Sequence, residues 1–240
     1  MNTPPPSNST IRSKNFRVRP MLTCALLLGS AALASADVKL RGNIGPRTID
    51  DNVIIAADTS CTLNGTIIKG NLFVRSGARL TSNGARIIGN VQANKSFLVE
   101  LLMATRVGGD VQGKYTRSVL VKGDSRVGGN IQIVEASAPS GVDVLHVQNA
   151  TIIGNVQAEL SSGRLRVLKN NIGGDLQFVK NKVGPYVMND NQVKGDLQFF
   201  ENRGQGTITE NVVGGNLQTK ENTPRPEVKN NRVEGSTEIE

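Results

Sequence analysis

A chain of 240 residues with 38% hydrophobic residues, 3% aromatics and no Trp can form a core, but not one centred on large rings. Its formal charge of +8 includes four basic residues in an acid-free stretch, residues 1–36; the remaining 24 Lys and Arg face 20 Asp and Glu, a modest +4 that argues against a nucleic-acid binder. Two Cys, one of them in that stretch, exclude a disulfide-stapled scaffold.

Arg12, Lys14, Arg17 and Arg19 precede an apolar run from Met21 to Leu33, and Ala34-Ser35-Ala36 has the small-x-small pattern of a cleavage site. Residues 1–36 therefore read as a secretory signal peptide, which places the mature chain in the periplasm or outside the cell. The run falls short of the roughly 18 apolar residues of a spanning helix, so no membrane span is expected after signal removal. Residues 37–66 are assigned as an N-terminal cap and first coil, and residues 67–240 as repeats. Cys61 is either a small buried apolar residue or a free thiol that pairs between chains.

From Gly70 onward the chain repeats itself at Gly70, Gly89, Gly109, Gly129, Gly154, Gly174, Gly195, Gly215 and Gly235, with separations of 19 to 25 residues. A period of this size means a solenoid or related array. Two residues before each glycine stands a β-branched residue, as at Ile68, Val107, Ile172 and Val233; two residues after it stands an aliphatic one, as at Leu72, Val111 and Leu217, until Thr237 ends the series. Apolar residues at even offsets have the period of a strand. The return segments, such as Arg164 to Asn170 and Pro185 to Asp190, alternate in the same way. The expected fold is all-β: a parallel β-helix of about 20 residues per coil, three short strands and three corners each, with coils about 4.8 Å apart. The strong bias of parallel crossovers makes it right-handed. The central glycine belongs at a corner needing either φ freedom or a missing Cβ.

Polar residues recur in columns too. Asn170, Asn191, Asn211 and Asn231 stand four residues before their glycines, where earlier copies have Thr66, Ala85, Thr105, Ser125 and Ala150. Asn181, Asn202 and Asn222 stand seven after, preceded by Ser96, Thr116 and Ser161. Both columns predict inward ladders that satisfy corner backbone. Gln92, Gln112, Gln132, Gln157, Gln177, Gln198 and Gln218 predict an outward, exposed ladder, with Phe73 and Glu238 as atypical ends. Phe178 and Phe199 are expected to pack on one another inside. Residues 135–141 read as a corner excursion, since that copy is five residues longer than its neighbours.

The segment Cys61 to Val74 and the recurring G-[ND]-[LIV]-Q copies resemble secreted bacterial β-solenoid proteins to which no activity is assigned. The coil size is similar to bactofilins, polymer-forming cytoskeletal β-helices. The resemblance implies the fold and brings no catalytic residues, and bactofilins are cytoplasmic, unlike a chain with a secretory signal.

Chemistry is scarce. Asp175 and Asp196 would be stacked neighbours able to hold a cation or imitate a glycosidase pair, yet Asn and Asp at this position more simply cap a corner. His146, the single histidine, is assigned to a strand surface. No cofactor or metal is expected. The least ordinary feature is Arg86, Arg106 and Arg126, an outward column in three consecutive copies, with Gly108 and Gly128 beside it. It is suited to an anionic polymer such as an acidic glycan or lipopolysaccharide. The leading reading is a secreted, non-enzymatic scaffold or binding surface; a polysaccharide lyase or hydrolase is the alternative, and end-to-end polymerisation a third possibility.

Overall fold

The computed structural model describes residues 37–240; the expected secretory signal over 1–36 lies outside the described residues. All regular structure in them is β-strand, and among these described residues no helix is long and apolar enough to cross a membrane. Thirty-one short strands form three parallel sheets of eleven, ten and ten, here called A, B and C. Each coil visits them in that order, as in Leu176–Val179, Tyr186–Asn189 and Gln192–Val193. The repeat columns become register: Leu176 pairs with Leu197, Gln177 with Gln198 and Phe178 with Phe199.

Alternation along these strands sends every second side chain inward. Val91, Ile131, Val156, Leu176, Leu197 and Leu217 line one file of the core with no exposed surface, and Ile68, Ile87, Val127, Ile172 and Val213 line another. Burying one such side chain contributes about 1.5–3 kcal/mol, and a rod made of equivalent coils repeats that gain at each step. Phe178 and Phe199 pack with ring centroids 6.4 Å apart, and Tyr186 joins them edge-on, 5.7 Å from Phe199. Gly206, next to Tyr186 in register, makes room: a Cβ there would lie 2.7 Å from the Phe199 ring.

The two physical roles offered for the central glycine separate cleanly. It keeps ordinary φ and is needed for close approach: a Cβ on Gly109 would fall 2.1 Å from Asn90 Oδ1 and 3.2 Å from the Gly89 carbonyl oxygen. The N–H of Gly109 bonds that carbonyl at 3.1 Å, and the stack continues to Gly235. Positive φ is instead taken by other residues, just before the inward positions of the two polar columns: Lys95, Tyr115, Glu135, Leu160, Lys180 and Glu201 at one corner, where Ala136 replaces the polar residue after Glu135, and Ala104, Asp124, Lys169, Asp190 and Glu210 at another. Left-handed backbone costs a non-glycine residue roughly 1–2 kcal/mol, and at each of these turns its N–H bonds a carbonyl of the next coil, as Lys95 bonds Lys114, Glu135 bonds Glu159 and Asp190 bonds Thr209.

The array also begins earlier than the glycine column indicates. Strands Val38–Leu40, Gly42–Ile44 and Thr48–Ile49 already make one coil, and Asp51 and Asn52 hold the glycine and Asn/Asp positions of the next, so residues 37–66 span one coil and most of a second. The five-residue excess lies between Ile131–Val134 of sheet A and Asp143–Gln148 of sheet B, a corner excursion as expected.

Candidate functional site

The candidate face is sheet C, whose strands are two residues long. The second residue points inward and anchors the strand: Ile87 and Val127 are fully buried and Val107 is 3% exposed. The first residue must then point outward, which presents Arg86, Arg106 and Arg126 to solvent. Their Cα atoms are direct partners, Arg86 with Arg106 and Arg106 with Arg126. Ile67 precedes and Thr151 follows the row. Among the described residues none of the three arginines forms an ion pair or hydrogen bond with a carboxylate. Like charges directly opposite on paired strands oppose the pairing by about 0.2–1 kcal/mol.

Beside the row the coils come too close for side chains. A Cβ on Gly108 would lie 2.2 Å from the carbonyl oxygen of Ile88, and one on Gly128 2.2 Å from that of Gly108. The result is a bare backbone floor next to Arg106 and Arg126, with Ile88 and Ile153 exposed at its two ends. A second arginine feature was not read from the sequence. Arg79 and Arg117 lie over the Phe97 ring, 3.4 and 4.4 Å from its centroid, on the outer side of sheet B. Phe97 and Arg117 hold equivalent places just ahead of the sheet B strands of two successive coils, and Arg79 opens the strand of the coil before them. Residues 67–134 as a whole carry ten Lys and Arg against three Asp and Glu, a concentration of positive charge that the net +4 conceals.

The acid column is structural. Asp175 Oδ1 accepts the Asp196 N–H at 2.8 Å, Asp196 Oδ1 accepts that of Asn216 at 2.7 Å, and the same bond recurs from Asn52 to Ser236. One oxygen of each carboxylate is thus committed to the corner, as the capping reading expects. No cluster of three or more His, Cys, Asp or Glu able to hold a metal occurs among the described residues. A depression on sheet A lined by Lys39, Ile54, Arg75 and Lys95 contains no carboxylate.

His146 corrects the surface assignment: it is 3% exposed. Its Nδ1 lies 3.1 Å from Asp143 Oδ2 and 3.0 Å from Arg166 Nη2, while Nε2 is buried without a partner. Asp143 also takes hydrogen bonds from Arg164 and Arg166 of the following coil. Burial, followed by the charges of Lys122 and Arg166, pushes the His146 pKa down from 6.5 to about 4. Burial opposes ionisation of Asp143, but the bonds from Arg166 and Arg164 outweigh it and hold the carboxyl below its ordinary value. A ring enclosed in this way has no open path to a substrate, and the cluster pins the excursion to the next coil. Cys61 is buried, and burial pushes its thiol up to about 11, which fits the small apolar role.

The outward glutamines form a ladder, but a half-buried one. Gln132, Gln157, Gln177 and Gln198 each donate to the next glutamine, and Gln218 to Glu238, at 2.6–3.3 Å. Lying along the rod, the side chains cover one another, and Gln218 is only 8% exposed.

Comparison of the chain with protein-family models, with curated proteins and with solved structures gives no match.

Proposed function

We propose that this protein is an exported, non-enzymatic β-solenoid whose sheet C face binds anionic glycan, so that the rod serves as a scaffold or binding surface of the cell envelope or its exterior. The observation that carries this reading is the exposed, in-register row of Arg86, Arg106 and Arg126 without carboxylate partners. Three guanidinium groups held against mutual repulsion are favourable once an anion lies across them. The signal-peptide reading of residues 1–36 supports an address outside the cytoplasm. Against a lyase or hydrolase stands the commitment of Asp175 and Asp196 to backbone N–H groups.

The test is a binding titration of the purified protein with polygalacturonate at low and physiological salt. Binding is expected, weakening as salt screens exposed charges, and is lost when all three arginines are replaced by Ala while the thermal transition is kept. Binding that survives the triple replacement removes the row from the proposal. Release of unsaturated sugar ends would favour the lyase.

A further inference from the structure

The sheet C row is one file wide, and that constrains how a ligand lies on it. Across the rod, Arg106 and Arg126 are flanked on one side by Gly108 and Gly128. On the other side the corner carries Gly84, Ala104 and the exposed Asp124. A polyanion crossing the rod would therefore meet one guanidinium, then bare backbone or a carboxylate. Along the rod it meets three guanidinium groups in succession, with roots about 4.8 Å apart. The file then ends in uncharged side chains, Ile67 before the row and Thr151 after it.

We propose that the ligand is a linear acidic polysaccharide that lies parallel to the rod axis and places carboxylates on successive rungs, with three charges filling the natural site. This rests on the reading of the row as an anion-binding face. It goes beyond that reading in fixing the ligand's direction and minimum length.

The experiment compares two single substitutions in the same file. Thr151→Arg adds a fourth rung contiguous with Arg126, whereas Gln192→Arg adds the same charge two coils further on, beyond Thr151 and Asn171. Both positions already hold outward polar side chains, and a thermal melt checks each fold. The wild type and both variants are titrated with oligogalacturonates of one to six units. Wild-type affinity is expected to rise through the trimer and then level off. Thr151→Arg is expected to tighten the hexamer by roughly two- to fivefold, what one exposed ion pair supplies, and to leave the monomer unchanged; Gln192→Arg stays at the wild-type value. Equal gains from the two variants would show that net charge alone matters and overturn the axial site, with the anion-binding face intact. No binding of any oligomer by the wild type would remove the face and the axial site together.

Discussion

The early and late coils fill the same two inward corner positions differently. In the late coils Asn181 and Asn202 stand seven residues after their glycines. Asn202 donates to the Phe178 carbonyl at 2.8 Å and to Asn222 Oδ1, while its own Oδ1 accepts from the Asn181 N–H and Nδ2. In the early coils Ser96 and Thr116 hold the equivalent place, and their buried hydroxyls have no partner. At this corner the short hydroxyls of Ser96 and Thr116 bond nothing, whereas an amide carries two donors and an acceptor far enough out to bridge to the next coil. Late coils are therefore stitched through their side chains. Early coils lack these amide rungs and are held by backbone bonds, the Asn/Asp column, the Thr105 and Ser125 hydroxyls and apolar packing, and it is these coils that carry the arginine row. The lesson is that corner satisfaction and surface chemistry are separable along the rod.

The comparison breaks most visibly at Asn202. Asn202→Ala strands the Asn181 N–H at about 1–3 kcal/mol and removes three further bonds, to the Phe178 carbonyl, to Asn222 Oδ1 and from the Asn181 amide, although Asn222 Oδ1 keeps the Asn202 N–H and the Asn181 amide keeps the Ala158 carbonyl. A loss of 3 kcal/mol or more is expected in denaturant unfolding, against a change near zero for Ser96→Ala, which removes a hydroxyl that bonds nothing. Equal losses would show that the amide ladder adds nothing beyond filling space.

The seam between the two regions gives the next largest effect. Asp143 and His146 sit in the coil where the Ala150 N–H meets Asn170 Oδ1, the first rung of the amide ladder. The fold holds His146 neutral to about pH 4, whereas the unfolded chain takes up that proton near 6.5. Above 6.5 both states are neutral and the residue has no pH effect. As the pH falls from 6.5 to 4 the unfolded state gains protons first, so stability drops, by on the order of 2–3 kcal/mol at the lower limit. The lowered pKa of Asp143 removes stability further down, as that carboxylate is protonated. Unfolding followed between pH 7 and 4 should show this slope, and His146→Leu should flatten it; an unchanged slope would place the acid sensitivity elsewhere.

Much of this was legible because a solenoid turns sequence offset into spatial register. The strands, the asparagine files and the arginine row need only the period and the side-chain alternation, and each stands where the offsets place it. What the offsets could not show depends on contacts with no periodic mark. A first coil is expected within residues 37–66, but the start of a second one there carries no mark, because Asp51 replaces the glycine that marks later coils. The left-handed corners carry Lys, Glu, Asp and even Leu, since a backbone bond to the next coil rather than residue type fixes the turn. The burial of His146 follows from a lengthened corner whose Asp143 reaches arginines about twenty residues on. An offset names the rung a side chain occupies, not what its neighbours fold over it.

The smallest effect is the sharpest probe of the hydroxyl coils, because one substitution should change sign between two of them. Thr116 and Thr105 are both fully buried. Thr116 Oγ1 has no partner, so Thr116→Val exchanges an unsatisfied hydroxyl for a methyl of nearly the same size and should stabilise by about 1 kcal/mol. Thr105 Oγ1 donates to the Leu102 carbonyl at 2.7 Å and approaches the Ser82 carbonyl at 2.9 Å. That bond holds the turn in which Met103 and Ala104 both adopt positive φ. Thr105→Val should therefore destabilise by about 1 kcal/mol, with no change in core volume to blame. Thermal melts of the two variants beside the wild type read the difference directly. Shifts of the same sign would mean that the early corners are governed by packing alone, and that their hydroxyls are not the short counterparts of the later amides.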